Sequence, residues 1–199
     1  MIKKDNFTFN LIIAGVGGQG LITALGVVAE AAFANGLDVK TSELHGLSQR
    51  GGSVSVHIRF GKEVFSPVVS IGKADLIIAL EQQESLLAVE FSSPETIFVL
   101  NNYQTPTLTE NLSKKQIENT LQKINRKYFF IDGQDICQKE LNNNVVAGIF
   151  LLGYSAGKGW LPLAKDFLEK GIKNTIPERF YDLNLKALCL GFKYSQKNI

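Results

Sequence analysis

The run Phe9-Asn10-Leu11-Ile12-Ile13-Ala14, followed at once by Gly15-Val16-Gly17-Gly18-Gln19-Gly20, constrains the fold more than any other part of the chain. A short, mostly apolar run of this kind reads as a strand buried in a sheet. The alanine-, leucine- and valine-rich stretch 21–34 that follows reads as a helix covered on most sides, and Gly36 is placed to end it. Val39 to Leu44 forms a second strand, so the chain opens as β-loop-α-β. Such an opening predicts a three-layer α/β domain with a mainly parallel, Rossmann-like sheet.

Further along, Ser53 to Phe60 alternates with the period-2 pattern of a half-exposed strand. Gly61-Lys62 makes a turn, and Glu63 to Val69 is expected to return as its antiparallel partner, a hairpin over 54–69. Ala74 to Leu80 and Thr96 to Asn101 read as strands, with a short helix between them from Gln82 to Glu90. Asn102 to Thr109 is a turn-rich connector. Ser113 caps an amphipathic helix reaching Asn125, and Tyr128 to Asp132 is a short strand. From Asn144 onward the chain turns helical, in segments 145–156, 162–170 and 177–191, with Pro162 expected in a first helical turn. No repeat, low-complexity tract or linker interrupts the sequence. The expectation is one domain over 1–199, with C-terminal helices 144–192 packed on it.

Gly15, Gly17 and Gly20 satisfy G-x-G-x-x-G between a strand and a helix, and free N–H groups at a helix start favour an anion. Glu43 ends the second strand, where a ribose-binding acid belongs in a dinucleotide fold. Nicotinamide or flavin binding is one reading of these residues; a tight turn that only packs helix on strand is the other. The second unusual stretch is His45-Gly46-Leu47-Ser48-Gln49-Arg50-Gly51-Gly52-Ser53. Consecutive glycines let backbone N–H groups converge on an anion, and Arg50 adds a forked cation suited to carboxylate or phosphate. The alternative is a solvated turn that stabilises itself. His57, inside a strand, reads as a partly exposed strand residue on the face opposite Val56 and Ile58.

Composition excludes several classes. A net charge of +2 and no Lys/Arg block give no footprint for nucleic acid. The apolar run after Met1-Ile2-Lys3-Lys4-Asp5 is too short for a signal peptide, and no uncharged apolar run is long enough to span a membrane. Cys137 and Cys189 lie far apart, match no metal or iron–sulfur spacing, and are read as small buried hydrophobes in a reducing, cytoplasmic setting. No metal site is expected.

Gly-x-Gly-Gly-Gln-Gly followed by His-Gly-Leu-Ser-Gln-Arg-Gly-Gly-Ser resembles the gamma-type subunit of the 2-oxoacid:ferredoxin oxidoreductases, the pyruvate/ketoisovalerate group. The second loop looks most like that of the small subunit of the indolepyruvate branch. The resemblance runs from Leu11 through the expected strand pair Val54 to Val69, then Ala74 to Ala79 and Glu81, into Asn144-Val145-Val146-Ala147-Gly148 and Asp182-Leu183-Asn184. It implies a chain that completes the active site of a large subunit carrying thiamine diphosphate and iron–sulfur clusters. The assembled enzyme would turn a 2-oxoacid and coenzyme A into acyl-CoA and carbon dioxide, reducing ferredoxin. His45, Gln49 and Arg50 would face the chemistry. Gly15, Gly17, Gly18, Gln19, Gly20, Gly51, Gly52 and Ser53 would line a cofactor or coenzyme A site. Asp132-Gly133 with Asn142-Asn143 imitates a thiamine diphosphate fingerprint, but the spacing is too short and no glycine precedes Asp132. A strand end and a helix cap is the expected reading. Two readings compete with the subunit: a free-standing NAD(P)- or flavin-binding oxidoreductase, and a non-catalytic scaffold or regulator derived from the family. Against the former, Tyr154 and Lys158 have Tyr-x-x-x-Lys spacing but sit in a glycine-rich segment, and Tyr154 and Trp160 read as packing anchors.

Overall fold

The computed structural model describes residues 7–46, 52–106, 111–124 and 126–197. Its six strands are β1 (Thr8–Val16), β2 (Asp38–His45), β3 (Ser53–Gly61), β4 (Ala74–Ala79), β5 (Ser92–Asn101) and β6 (Lys127–Ile131). They form one sheet in the order β2-β3-β1-β4-β5-β6. β1, β4, β5 and β6 run parallel in succession; β3 is antiparallel to both β1 and β2. The expected mainly parallel sheet with an antiparallel hairpin is therefore present, but the hairpin is β2–β3 and not 54–69.

Residues 63–69 make no ladder, and their amides explain why. Val64 N–H donates to Asp38 Oδ2 at 2.9 Å and Val69 N–H to His57 Nδ1 at 3.1 Å. Pro67 has no N–H to offer a sheet. The segment instead crosses the sheet face, which buries His57 completely. That corrects the partly exposed reading, although alternation placed the side chain on the right face.

Helices α1 (Leu21–Ala34), α3 (Gly133–Leu141), α4 (Ala147–Gly157), α5 (Lys165–Thr175) and α6 (Tyr181–Ser195) cover one face of the sheet. Leu11, Ile13, Val56, Ile58, Phe60, Leu76 and Ile78 form the sheet side of that core. α2 (Lys114–Lys123) and a 3₁₀ helix (Gln83–Phe91) cover the other, over Ile12, Ile77, Phe98 and Leu100. Ser113 caps α2 in a capping box with Gln116. Gly36, at φ +75°, closes α1 in a left-handed turn.

Three local expectations are corrected. α3 was not anticipated: its sequence is polar, and it lies between two pairs of turn-forming residues. α5 begins at Lys165, so Pro162 lies in the extended approach and outside its first turn. Cys137 is buried as expected, its thiol pushed up to about 12 by desolvation, whereas Cys189 is exposed. Among the described residues no helix is long and apolar enough to cross a membrane.

His57 carries a stability consequence. Its Nδ1 accepts the Val69 amide, its ring meets Phe91 edge-on at 4.8 Å, and burial lowers its pKa. The folded chain therefore binds this proton more weakly than the unfolded chain. The stability it supports is full above the unfolded histidine value of about 6.5 and is lost as pH falls from there through the folded value. The carboxyls of Asp75 and Glu81 are raised by desolvation and act with the opposite sign. Comparison with a variant isolates the histidine. Wild type is expected to lose more stability than His57→Phe between pH 7.5 and 5.5 in urea melts, by an amount on the order of 1 kcal/mol. Parallel losses would exclude this role.

Candidate functional site

The parallel strands end together on one side of the sheet, and the strand order reverses direction between β1 and β4. Ligands of open α/β sheets bind outside the carboxyl ends of strands at such a reversal. The glycine loop lies there. Gly18 and Gly20 have φ of +99° and +80°, values that glycine adopts freely, and Gly20 is the N-cap of α1. The Gln19 side chain folds back so that Oε1 accepts the Val16 N–H at 2.9 Å. A Cβ on Gly15 would stand 2.6 Å from that oxygen and 3.3 Å from Leu80, so glycine there allows the fold-back and the close strand packing.

The two loops read from sequence as unusual are joined. Gly17 N–H donates to Gly52 C=O at 3.0 Å, and Gly46 N–H to Ser53 C=O at 3.1 Å. Ser53 Oγ donates to Glu84 Oε1 at 3.1 Å, tying the base of the β2–β3 hairpin to the 3₁₀ helix. His45 is exposed at the end of β2, its Nε2 3.2 Å from Glu43 Oε2. Gln49, Arg50 and Gly51 lie outside the described residues.

Glu43 does not occupy a ribose-binding position. In a dinucleotide fold that acid ends the strand beside β1, but here β3 lies between β1 and β2. The insertion moves Glu43 one strand further from the glycine loop, to about 10 Å in the sheet plane at ~4.8 Å per strand. Tyr154 and Lys158 make no catalytic pair either. Tyr154 is buried in the core, and Lys158 Nζ lies 5.7 Å from its ring centroid as a cation–π contact. Trp160 packs against Phe129 at 4.4 Å between centroids, in keeping with a packing anchor.

Around the glycine loop the stretches that carry the resemblance converge. A cleft of about 470 Å³ is lined by Gln19, Gly20, Asn143, Val145, Gly148 and Asn184, among others. A smaller hollow of about 170 Å³ adjoins it, between Gly18, Asn101, Tyr103, Gln134 and Asn144. Asn101 is almost wholly buried and acts as a staple: Nδ2 donates to Leu80 C=O at 3.1 Å, and Oδ1 accepts the Gln134 N–H at 3.2 Å. The N-terminal ends of α1, α3 and α4 thus meet where β1 and β4 end, all with first-turn N–H groups that lack intrahelical acceptors. Asp132-Gly133 is consumed in the turn from β6 into α3, where Asp132 Oδ1 accepts from Asn102 Nδ2 at 2.7 Å. Asn142 is the left-handed cap of α3, at φ +51°. The thiamine diphosphate imitation is therefore a strand end and two helix ends.

The sequence reading named Glu81 only among the residues that carry the resemblance and did not name Glu84, so it assigned neither to the site. Glu81, almost wholly buried two residues past the end of β4, accepts the Glu84 N–H at 3.0 Å. Glu84 is held above the usual carboxylate range by desolvation and by neighbouring Glu81, against the lowering effect of Ser53. An acid placed at the end of an apolar strand was the available signal for Glu81. Glu84, one position in a 3₁₀ helix, carried none.

Similarity to known proteins now decides the family. The family model for pyruvate ferredoxin/flavodoxin oxidoreductase matches residues 10–194. The chain belongs to this family. It is 37% identical over 192 residues to the indolepyruvate oxidoreductase subunit IorB of Archaeoglobus fulgidus, a match spanning 92% of this chain and 93% of that one. IorB of Pyrococcus horikoshii is 30% identical over 196 residues, covering 95% and 96% of the two chains. In fold, the keto/oxoacid ferredoxin oxidoreductase gamma subunit from Geobacter sulfurreducens superposes with a TM-score of 0.71. It is 22% identical and covers 94% of this chain and 98% of its own. The chain is thus IorB-like over its length, a small-subunit type within the oxidoreductase family, with the fold of the gamma subunits. A free-standing dehydrogenase is not favoured.

The glycine loop can be probed without knowing its ligand. Replacing Gln19 with leucine leaves the Val16 amide without its acceptor and is expected to cost about 1–2 kcal/mol. Urea denaturation checks this; a loss below ~0.3 kcal/mol would mean that the amide finds water or another acceptor.

Proposed function

We propose that the chain is the small subunit of a thiamine diphosphate- and iron–sulfur-dependent 2-oxoacid:ferredoxin oxidoreductase of the indolepyruvate type. The assembled enzyme oxidatively decarboxylates an arylpyruvate, forming acyl-CoA and carbon dioxide and passing electrons singly to ferredoxin. The observation that carries this reading is the end-to-end similarity to IorB chains.

The cofactors do not fit on this chain. Its two cysteines cannot ligate a four-cysteine cluster, and Cys137 is shielded and kept protonated. Among the described residues no group of three or more His, Cys, Asp or Glu is placed to hold a metal ion. Asp132-Gly133 is built into a turn. Thiamine diphosphate and the clusters therefore belong to a large partner subunit, where they supply the decarboxylation and electron removal. This chain contributes the hairpin loop. His45, Gln49 and Arg50 project toward the partner's reaction centre, with Arg50 holding the substrate carboxylate or a coenzyme A phosphate. The Gly17–Gly52 bond and the Ser53–Glu84 bond support that reading because they hold the loop's base against the strand ends. The glycine loop, with Gly15, Gly17, Gly18, Gln19 and Gly20, and with Gly51, Gly52 and Ser53 beside it, serves coenzyme A or packs the helix. Gln19's fold-back favours packing at Val16 and leaves the cleft beyond Gly20 for a ligand.

The test is an anaerobic assay of the complex purified through this chain, with viologen as electron acceptor. Coenzyme A-dependent reduction faster with indolepyruvate and phenylpyruvate than with pyruvate or 2-oxoglutarate is expected. Preference for a small aliphatic 2-oxoacid would overturn the substrate assignment.

A further inference from the structure

A second concavity, of about 260 Å³, lies beside the hairpin's base, lined by Ala14, Leu44, His45, Ser53, Glu84 and Leu87, among others. Its walls are apolar, and two of them, Leu44 and Leu87, are 42% and 59% exposed. Among the described lining residues Glu84 is the only carboxylate, and none is a lysine or arginine. One of its oxygens accepts from Ser53. The other, Oε2, is shielded from solvent and has no hydrogen-bond partner. A desolvated acceptor without a donor is costly in a chain on its own. Beside it, exposed leucines flank an acidic floor, an arrangement that suits a long cationic side chain: an ammonium or guanidinium for Oε2 and a methylene stem against the leucines. β2, which supplies Leu44, is an edge strand with most of its residues exposed, so the concavity opens at the margin of the sheet.

We infer that this concavity is a docking point for the large subunit, and that a lysine or arginine side chain of that subunit inserts between Leu44 and Leu87, the two exposed side chains turning aside to open Glu84 Oε2 to the incoming donor. The inference rests on the proposed subunit role. Glu84 thereby becomes a positioning residue: by gripping Ser53 with one oxygen and the partner with the other, it sets the hairpin loop against the partner's surface.

The experiment measures association of the full-length chain with the purified large subunit, at low and at moderate salt, for wild type, Glu84→Gln and Leu87→Ser. Glutamine keeps the size of the side chain and an oxygen for Ser53, and Leu87 is exposed, so neither change threatens folding. Expected are a loss of affinity of about tenfold or more for Glu84→Gln at low salt, a flatter salt dependence, and a smaller loss for Leu87→Ser. Wild-type affinity and salt dependence in Glu84→Gln would overturn the docking point while leaving the subunit role standing. No complex with wild type would overturn both. If Glu84→Gln lowered the melting temperature of the free chain in proportion to its effect on binding, the carboxylate would serve the chain itself and the inference would fail.

Discussion

Replacing Gly191 with alanine is expected to destabilise the chain by about 3 kcal/mol, a large effect for a single methyl group. Gly191 lies in α6 where it crosses α4, and Gly153 of α4 lies at the same crossing. A Cβ on Gly191 would stand 2.1 Å from Phe150 C=O and 2.6 Å from the Tyr154 N–H. A Cβ on Gly153 would stand 2.3 Å from Leu188 C=O. Alanine gains about 1 kcal/mol over glycine in helix propensity. The contact outweighs it, because the obstructing atoms are backbone and cannot rotate away. The two helices must separate, opening the core around Phe150, Leu151 and Leu188, all fully buried. Gly26→Ala is the informative comparison: its new methyl would meet Thr175 Cγ2 at 2.6 Å, a side chain that can turn. That change should stay within about 1 kcal/mol. In thermal melts Gly191→Ala should fall by about 10 °C and Gly26→Ala by far less. Equal shifts would mean that the α4–α6 crossing adjusts more readily than its geometry implies.

Arg50→Ala is expected to lower turnover of the assembled enzyme by about 100-fold or more, because a forked cation that orients a reacting anion acts in the transition state and in binding. Arg50→Lys should recover only part of this, since an ammonium cannot form the paired contact. The kinetic pattern identifies the anion. A raised KM for the 2-oxoacid alone assigns Arg50 to the substrate carboxylate; a raised KM for coenzyme A alone assigns it to a phosphate. Unchanged KM values and turnover would remove Arg50 from the site. His45→Ala should be milder, because His45 is exposed and its described partner is Glu43 on the same strand.

Much of this was legible in the sequence where local chemistry decides structure. The apolar runs at 9–14 and 74–80 became adjacent parallel strands, and the glycines at 15, 18 and 20 became a close approach and two left-handed turns. Ser113 capped its helix as its neighbour Gln116 allows. What was not legible depends on pairing at a distance. The alternation at 53–60 identifies a strand but not its neighbours, and β3 chose β1 and β2 over the adjacent segment 63–69. That choice also removed Glu43 from the ribose position that linear spacing had suggested. Gln19 reads as a ligand-facing polar residue in a glycine loop, yet its carboxamide closes on Val16. His57 was on the expected face, but its burial comes from a non-strand segment crossing above it, which no periodicity reveals. The acidic pair Glu81 and Glu84 gains meaning only when the 3₁₀ helix brings it against Ser53.

Whether this chain completes an active site seated on a larger subunit is best decided by removal and add-back. The anaerobically purified complex is separated into its subunits, and 2-oxoacid- and coenzyme A-dependent viologen reduction by the large subunit is titrated with this chain. Little activity from either subunit alone is expected, with a rise to saturation at a fixed stoichiometry. A large subunit fully active without this chain, or a chain recovered only by itself and binding NAD(P)H or flavin, would contradict the subunit role.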